Sequence, residues 1–231
     1  MNRFLKFLIG LLLLPTVFCF IFNFMTVVFD VVKNFDITFT FMAGFVLYCF
    51  VHKYLYNFSR PYVFAHEVSH ALAAWCCGYK VTDIKVNEDS GATKVSNFNT
   101  FVLLAPYCLP LYVIIIIAGF YITSLFWKDI FAYNKIFLGL IGFFMALHLV
   151  HTYKSLTETE QSDISLAGGW LFSFTLIAVI NLSLSVLLIH FLFPSVISPI
   201  ALLKVVFLQT VDFWKYFFMY VHKGIVKIGN L

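Results

Sequence analysis

The chain of 231 residues is 62% hydrophobic and 20% aromatic, and only 11% of it is charged. A soluble domain of that composition would leave an enormous apolar patch in water, so its solvent has to be lipid. The net charge of +4 is spread along the chain without a clustered Lys/Arg stripe, which excludes nucleic acid as an expected partner.

The hydrocarbon core of a bilayer, about 30 Å thick, takes roughly 20 apolar residues in a helix. Arg3 and Lys6 precede an apolar run from Phe7 to Phe29, which at 23 residues and without a small-x-small site reads as an uncleaved first span. Asp30, Lys33 and Asp36 make a short polar loop. The uncharged stretch from Ile37 to His52 reads as a second span, tilted or extended by the interfacial aromatics Tyr54, Tyr56 and Phe58. Pro61 suits the first turn of a third helix, with Ser59 as its cap and Gly78 as its stop after Cys77.

From Tyr79 to Asn99 the residues alternate on either side of the turn-forming Asn87-Glu-Asp-Ser-Gly91, which predicts a β-hairpin. Lipid does not tolerate hairpin edges, so the hairpin belongs at the interface or against protein lining a wet cavity. The uncharged run from Val95 to Trp127 holds the next span, kinked near its start by Pro106 and Pro110. Another span runs from about Ile136 to Tyr153, followed by a polar loop with Glu158, Glu160 and Asp163. The last full span lies in the uncharged run from Ile164 to Leu203 and ends at Pro194 and Pro199. Beyond it, Lys204, Asp212, Lys215 and Lys223 recur among aromatic residues at helical spacing, the pattern of an interfacial helix, a seventh span being the weaker alternative.

The expected fold is thus an all-α polytopic membrane protein, with about six transmembrane helices, one membrane-associated hairpin and a C-terminal amphipathic helix over about 200–223. One domain, 1–231, is expected, with a core over about 61–193 and extra N-terminal spans over 5–58. Cys19, Cys49, Cys76, Cys77 and Cys108 read as buried thiols, with no CxxC pair among them. Arg3, Lys6, Lys53 and Arg60 favour a cytoplasmic N-terminus and second loop, and the expected location is the cell membrane, plasma or inner.

The chemistry concentrates in Phe64-Ala-His-Glu-Val-Ser-His-Ala-Leu-Ala73. Histidines four apart on a helix lie about 40° from each other around the axis, which is bidentate geometry for one metal ion. Glu67, beside the first histidine, can take a proton from a metal-activated water. Zinc suits two imidazoles and a carboxylate with a fourth position open. Five-residue matches of this kind arise by chance. An ionisable side chain at membrane depth, however, costs about 2.5–3.5 kcal/mol even on the lenient insertion scale, so Glu67 in an apolar helix needs a compensating role.

His66-Glu-Val-Ser-His70 on an apolar helix, followed by Gly78, a hairpin and further spans, resembles the site-2 protease family of intramembrane zinc metalloproteases, with the order of elements matching from about Pro61 to Asn181. The resemblance implies that a later helix supplies an aspartate as third ligand. In the better-known members that aspartate stands in Asn-Pro-Asp-Gly or Leu-Asp-Gly, and neither string occurs here. Its nearest equivalent is Asp163 in Gln161-Ser-Asp-Ile-Ser165, ahead of Gly168 and Gly169; the alternative role is a helix cap or a solvated loop residue.

His148 and His151, three apart, compete for the third position or for a supporting role at the metal or the substrate carbonyl. Asn181, mid-span, is a candidate for binding substrate backbone or for interhelical bonding. The expectation is one Zn2+ per chain on His66, His70 and Asp163, with Glu67 as general base and a membrane-anchored protein as substrate. Strand addition to the hairpin would expose its scissile bond. Two other classes stay open: an inactive scaffold of the same fold, and a metal or ion transporter lined by the same residues.

Overall fold

The computed structural model describes residues 2–33, 35–88, 90–157, 161–194 and 196–229, without the side chains of 35–37 and 227–229. Glu158 and Glu160 of the expected polar loop, Asp89 of the hairpin turn and the side chain of Asp36 lie outside the described residues. The chain is mostly helical, carries one two-stranded sheet, and divides into two compact units, Met1–Lys33 with Phe174–Leu231, and Asn34–Ser173.

The first unit holds α1 (Arg3–Val32), and α9 (Pro199–Gly229) packs against it. Most of α8 (Trp170–Leu192) belongs here too. Phe20, Val27, Val31, Val186, Phe193 and Val206 form its buried apolar core. Two polar contacts fix α9 on α1. The Asn23 amide donates to Gln209 Oε1 at 2.6 Å, and the Trp214 indole donates to the Leu12 carbonyl at 3.3 Å. The contact positions run in opposite directions along the two helices, so they are antiparallel. The expected C-terminal helix exists and starts on Pro199, whose missing N–H costs nothing in a first turn.

The second unit begins with α2 (Phe35–Tyr54) and α3 (Ser59–Cys76), bent by 117° at the short break between them. Asn57, rather than Ser59, shapes that break: its Oδ1 accepts from the Ser59 backbone N–H and hydroxyl. Gly78, at φ 73°, ends α3 as expected. The hairpin follows as β1 (Val81–Val86) and β2 (Gly91–Val95), antiparallel, with Ile84 opposite Thr93 and Val86 opposite Gly91.

The run from Val95 to Trp127 is bent near its start, as Pro106 and Pro110 predict. It holds the end of β2, then α4 (Thr100–Cys108), capped by Asn99 Oδ1 on the Val102 N–H, then α5 (Leu111–Phe126), turned by 69°. Pro106 sits inside α4; the turn falls at Leu109 and Pro110, where α5 begins.

After a short 3-10 turn comes α6 (Asn134–Thr157), then α7 (Ser162–Ala167), which leads into α8. The uncharged run from Ile164 is likewise broken, because Gly168 and Gly169 take φ 149° and 93°, conformations open to glycine and strained for any other residue. Among the described residues three helices are long and apolar enough to cross a membrane alone, and up to five spans result if each bent pair counts as one. The expected count of six treated α2 and α3 as separate crossings, whereas they meet the criterion only as a bent pair.

Of the cysteines only Cys108 is buried; Cys49 and Cys76 are exposed, and Cys19 and Cys77 are intermediate. A lipid-facing helix surface accepts a thiol as readily as a protein core does.

The α2–α6 packing rests on small residues. A Cβ on Gly142 would run into the Phe41 carbonyl, and one on Gly44 into the Gly139 carbonyl, so these backbones touch directly. Gly142→Leu is expected to cost about 1–3 kcal/mol through overpacking and to lower Tm in detergent. Gly119→Ala, with open space around it, is not.

Candidate metal centre

On α3 the imidazoles of His66 and His70 lie with ring centroids 4.9 Å apart, nearly perpendicular. Helical spacing alone brings them together; what aims them comes from other elements. Asp163 on α7 places Oδ2 at 3.3 Å from His70 Nε2 and 3.5 Å from His66 Nε2. One ligand atom from each of the three residues lies within 4.8 Å of the others, the only such metal-ligand cluster among the described residues. The two glycines that break the helix after Ala167 end α7 just past this carboxylate.

Hydrogen bonds from neighbouring elements hold His70 and Asp163, while His66 Nδ1 is buried without a partner. His70 Nδ1 meets the Val102 carbonyl at 2.8 Å. A carbonyl only accepts, so Nδ1 carries a hydrogen, and in the neutral ring Nε2 is then a lone pair turned toward a carboxylate oxygen. Two acceptors that close require a cation between them, either a proton on the ring or a metal ion. The Tyr107 hydroxyl on α4 donates to Asp163 Oδ2 at 3.3 Å, and its ring stands edge-on to His66 at 5.1 Å. Burial pushes the Asp163 carboxyl up, yet its contacts with His66 and His70 outweigh that and hold it below the usual carboxylate range. Asp163 is therefore an anion at neutral pH. The donor set of two imidazole nitrogens and one anionic oxygen fits zinc, and the Val102 bond is the outer partner a ligating histidine needs.

Glu67 is 5% exposed, and its carboxylate is held by the hairpin. Thr93 Oγ1 lies 2.7 Å from Glu67 Oε2 and 3.0 Å from the Glu67 backbone carbonyl, so one hydroxyl ties β2 to the carboxylate and to its helix. Gly91 lies against the same side chain: a Cβ there would stand 2.5 Å from Glu67 Cγ. His66, Glu67, His70 and Asp163 all line one cavity of about 640 Å³, and Gly91 and Thr93 form part of its wall.

The structure thus brings His66, Glu67, His70 and Asp163 together and leaves the other candidates outside the cluster. His151 is stacked on Tyr62, with centroids 4.6 Å apart and planes 13° apart, and turns its ring to that phenol instead of to the His66, His70 and Asp163 cluster. His148 is buried and borders a separate small cavity with His66 and Tyr62. Asn181 lies in the first unit, where its amide donates to the Ile177 carbonyl one turn back in its own helix. Sequence reasoning missed Tyr107, Val102 and Thr93. Tyr107 carried a faint signal as a hydroxyl in an apolar run between two prolines. The Val102 carbonyl carried none, and Thr93 looked like any outward residue of an alternating strand.

A family model described as Peptidase M50B-like matches residues 38–223. No curated protein and no solved structure matches the chain. The matched stretch includes the whole ligand cluster, its cavity and the hairpin, and the chain belongs to this Peptidase M50B-like family, a site-2 protease family.

Proposed function

We propose that this integral membrane protein is a zinc-dependent intramembrane endopeptidase that cuts a membrane-anchored protein. The observation that carries the reading is the convergence of two imidazole Nε2 atoms on one Asp163 oxygen, in a cavity that also holds a tethered glutamate. His66, His70 and Asp163 would hold the metal, which when bound supplies a Lewis acid for the substrate carbonyl and lowers the pKa of a water.

Glu67 does the proton work. With Oε2 held by the Thr93 hydroxyl, Oε1 is the atom that takes the proton of the attacking water and returns it to the leaving amine. Thr93 is a positioning residue: it keeps the carboxylate from turning out of line as its charge changes. The hairpin supplies the second element. Gly91, Ala92, Thr93 and Val95 of β2 line the cavity, so an extended substrate segment paired with this strand would present its backbone to the site.

Model membrane-anchored substrates, reconstituted with the purified chain, test the reading. Glu67→Gln should lower cleavage by about 10²–10⁴-fold. Thr93→Val should lower kcat by about tenfold with metal content unchanged, and Thr93→Ser, which keeps the hydroxyl, should restore it. Equal cleavage by wild type and Glu67→Gln would sink the assignment, and altered ion flux in its place would favour a transporter.

A second test concerns the strand. Proline at Ala92 or Lys94 removes a backbone N–H donor and should abolish cleavage in a folded, metal-loaded chain if substrate pairs there. Unchanged cleavage would rule strand addition out.

A further inference from the structure

The metal cavity has a second chemical pole. Lys154 and His151, from the last turns of α6, line it together with the ligand cluster. Lys154 Nζ lies 3.2 Å from Nε2 of His52, which is in the last turn of α2, and the His52 and His151 rings meet edge-on at 5.0 Å. An ammonium only donates, so His52 Nε2 accepts and its Nδ1 carries a hydrogen. That Nδ1 is buried without a hydrogen-bond partner, as are His151 Nε2 and the hydroxyl of Tyr48, which stacks on His52. Among the described residues no carboxylate forms an ion pair with Lys154. The group holds a cation and unpaired polar atoms, its Lys154 and His151 line the cavity, and buried polar groups in a finished site are paired.

We propose that this group is an anion subsite that takes the carboxylate of an acidic residue in the peptide substrate. The proposal rests on the proteolytic reading. Lys154, held by His52, gives its remaining N–H donors to the carboxylate, and His151 forms the wall between it and the ligands. Ring contacts join the two poles: Tyr62 stacks on His151 at 4.6 Å and meets His66 at a tilt at 5.7 Å. An extended peptide advances about 3.3 Å per residue, so the acidic residue stands a few positions from the scissile bond. A bilayer-embedded substrate segment seldom carries a carboxylate, so recognising one would select a cut site among otherwise similar apolar sequences.

The probe is a set of short hydrophobic peptides that each carry one Asp, scanned along the peptide, beside the same set with Asn. Their affinities for the Glu67→Gln chain are read by fluorescence anisotropy in detergent. Asp should bind about tenfold more tightly than Asn at one or two adjacent positions. Lys154→Gln should reduce Asp to the level of Asn, and Lys154→Arg should retain the preference, with metal content reporting that both variants fold. Equal affinity for Asp and Asn everywhere, binding of neither set, or a preference that survives Lys154→Gln overturns the subsite. Cleavage of the Asn peptides by the wild-type chain would then leave the proteolytic reading standing, whereas an Asp preference without cleavage of either set would leave only the subsite. Loss of the preference in bilayers containing phosphatidylglycerol, but not in neutral ones, assigns the group to a lipid phosphate and overturns its assignment to substrate.

Discussion

A single carboxylate oxygen organises the centre of this protein. Asp163 Oδ2 is faced by His66 Nε2, His70 Nε2 and the Tyr107 hydroxyl, each within 3.5 Å. Together with Asp163 those groups come from three helices, α3, α4 and α7, and none makes a site alone. An anion so placed is stable only where donors or cations surround it, because burial without partners would push its proton affinity up. The Val102 carbonyl fixes which nitrogen of His70 is free, and the paired glycines after α7 let its helix stop beside α3 instead of continuing into α8.

The bilayer explains why the hairpin belongs to the same machinery. Strand edges cannot face hydrocarbon, and here β2 lies on α3 and along the wall of the cavity, with Thr93 bonded to both the side chain and the backbone of Glu67. One element thereby holds the Glu67 carboxylate and its helix together. The alanines of α3 make the approach possible. Ala71, Ala73 and Ala74 are fully or almost fully buried, and Ala73 and Ala74 pack with Val102 and Ala105 of α4. A larger residue there would separate the helix from α4 and move His70 away from the Val102 carbonyl.

Much of this was legible in the sequence because it depends on local pattern. The spacing of His66 and His70, the stop at Gly78 and the alternation of the hairpin are short-range signals, and each is present in the structure. The glycines beyond Asp163 were visible too, but not that they would break the helix and end α7 beside α3. The bend between α4 and α5 was legible at Pro110, whereas hydropathy carries no information about the 117° turn between α2 and α3, which the count of six spans treated as separate crossings. Partners contributed by distant segments were not legible. Nothing in the composition of β2 marks Thr93 as the tether of Glu67, and a backbone carbonyl such as that of Val102 leaves no trace in a sequence. The basic group of His52, His151 and Lys154 joins two helix ends about a hundred residues apart in the chain, and no motif joins them.

The central claim is that His66, His70 and Asp163 hold one metal ion. Elemental analysis of detergent-purified chain, never exposed to chelator, tests it most directly when wild type, Glu67→Gln and Asp163→Ala are compared. The account predicts about one zinc per chain in the first two and its loss in the third. A well-folded wild type without metal, or Asp163→Ala with full occupancy, would contradict it.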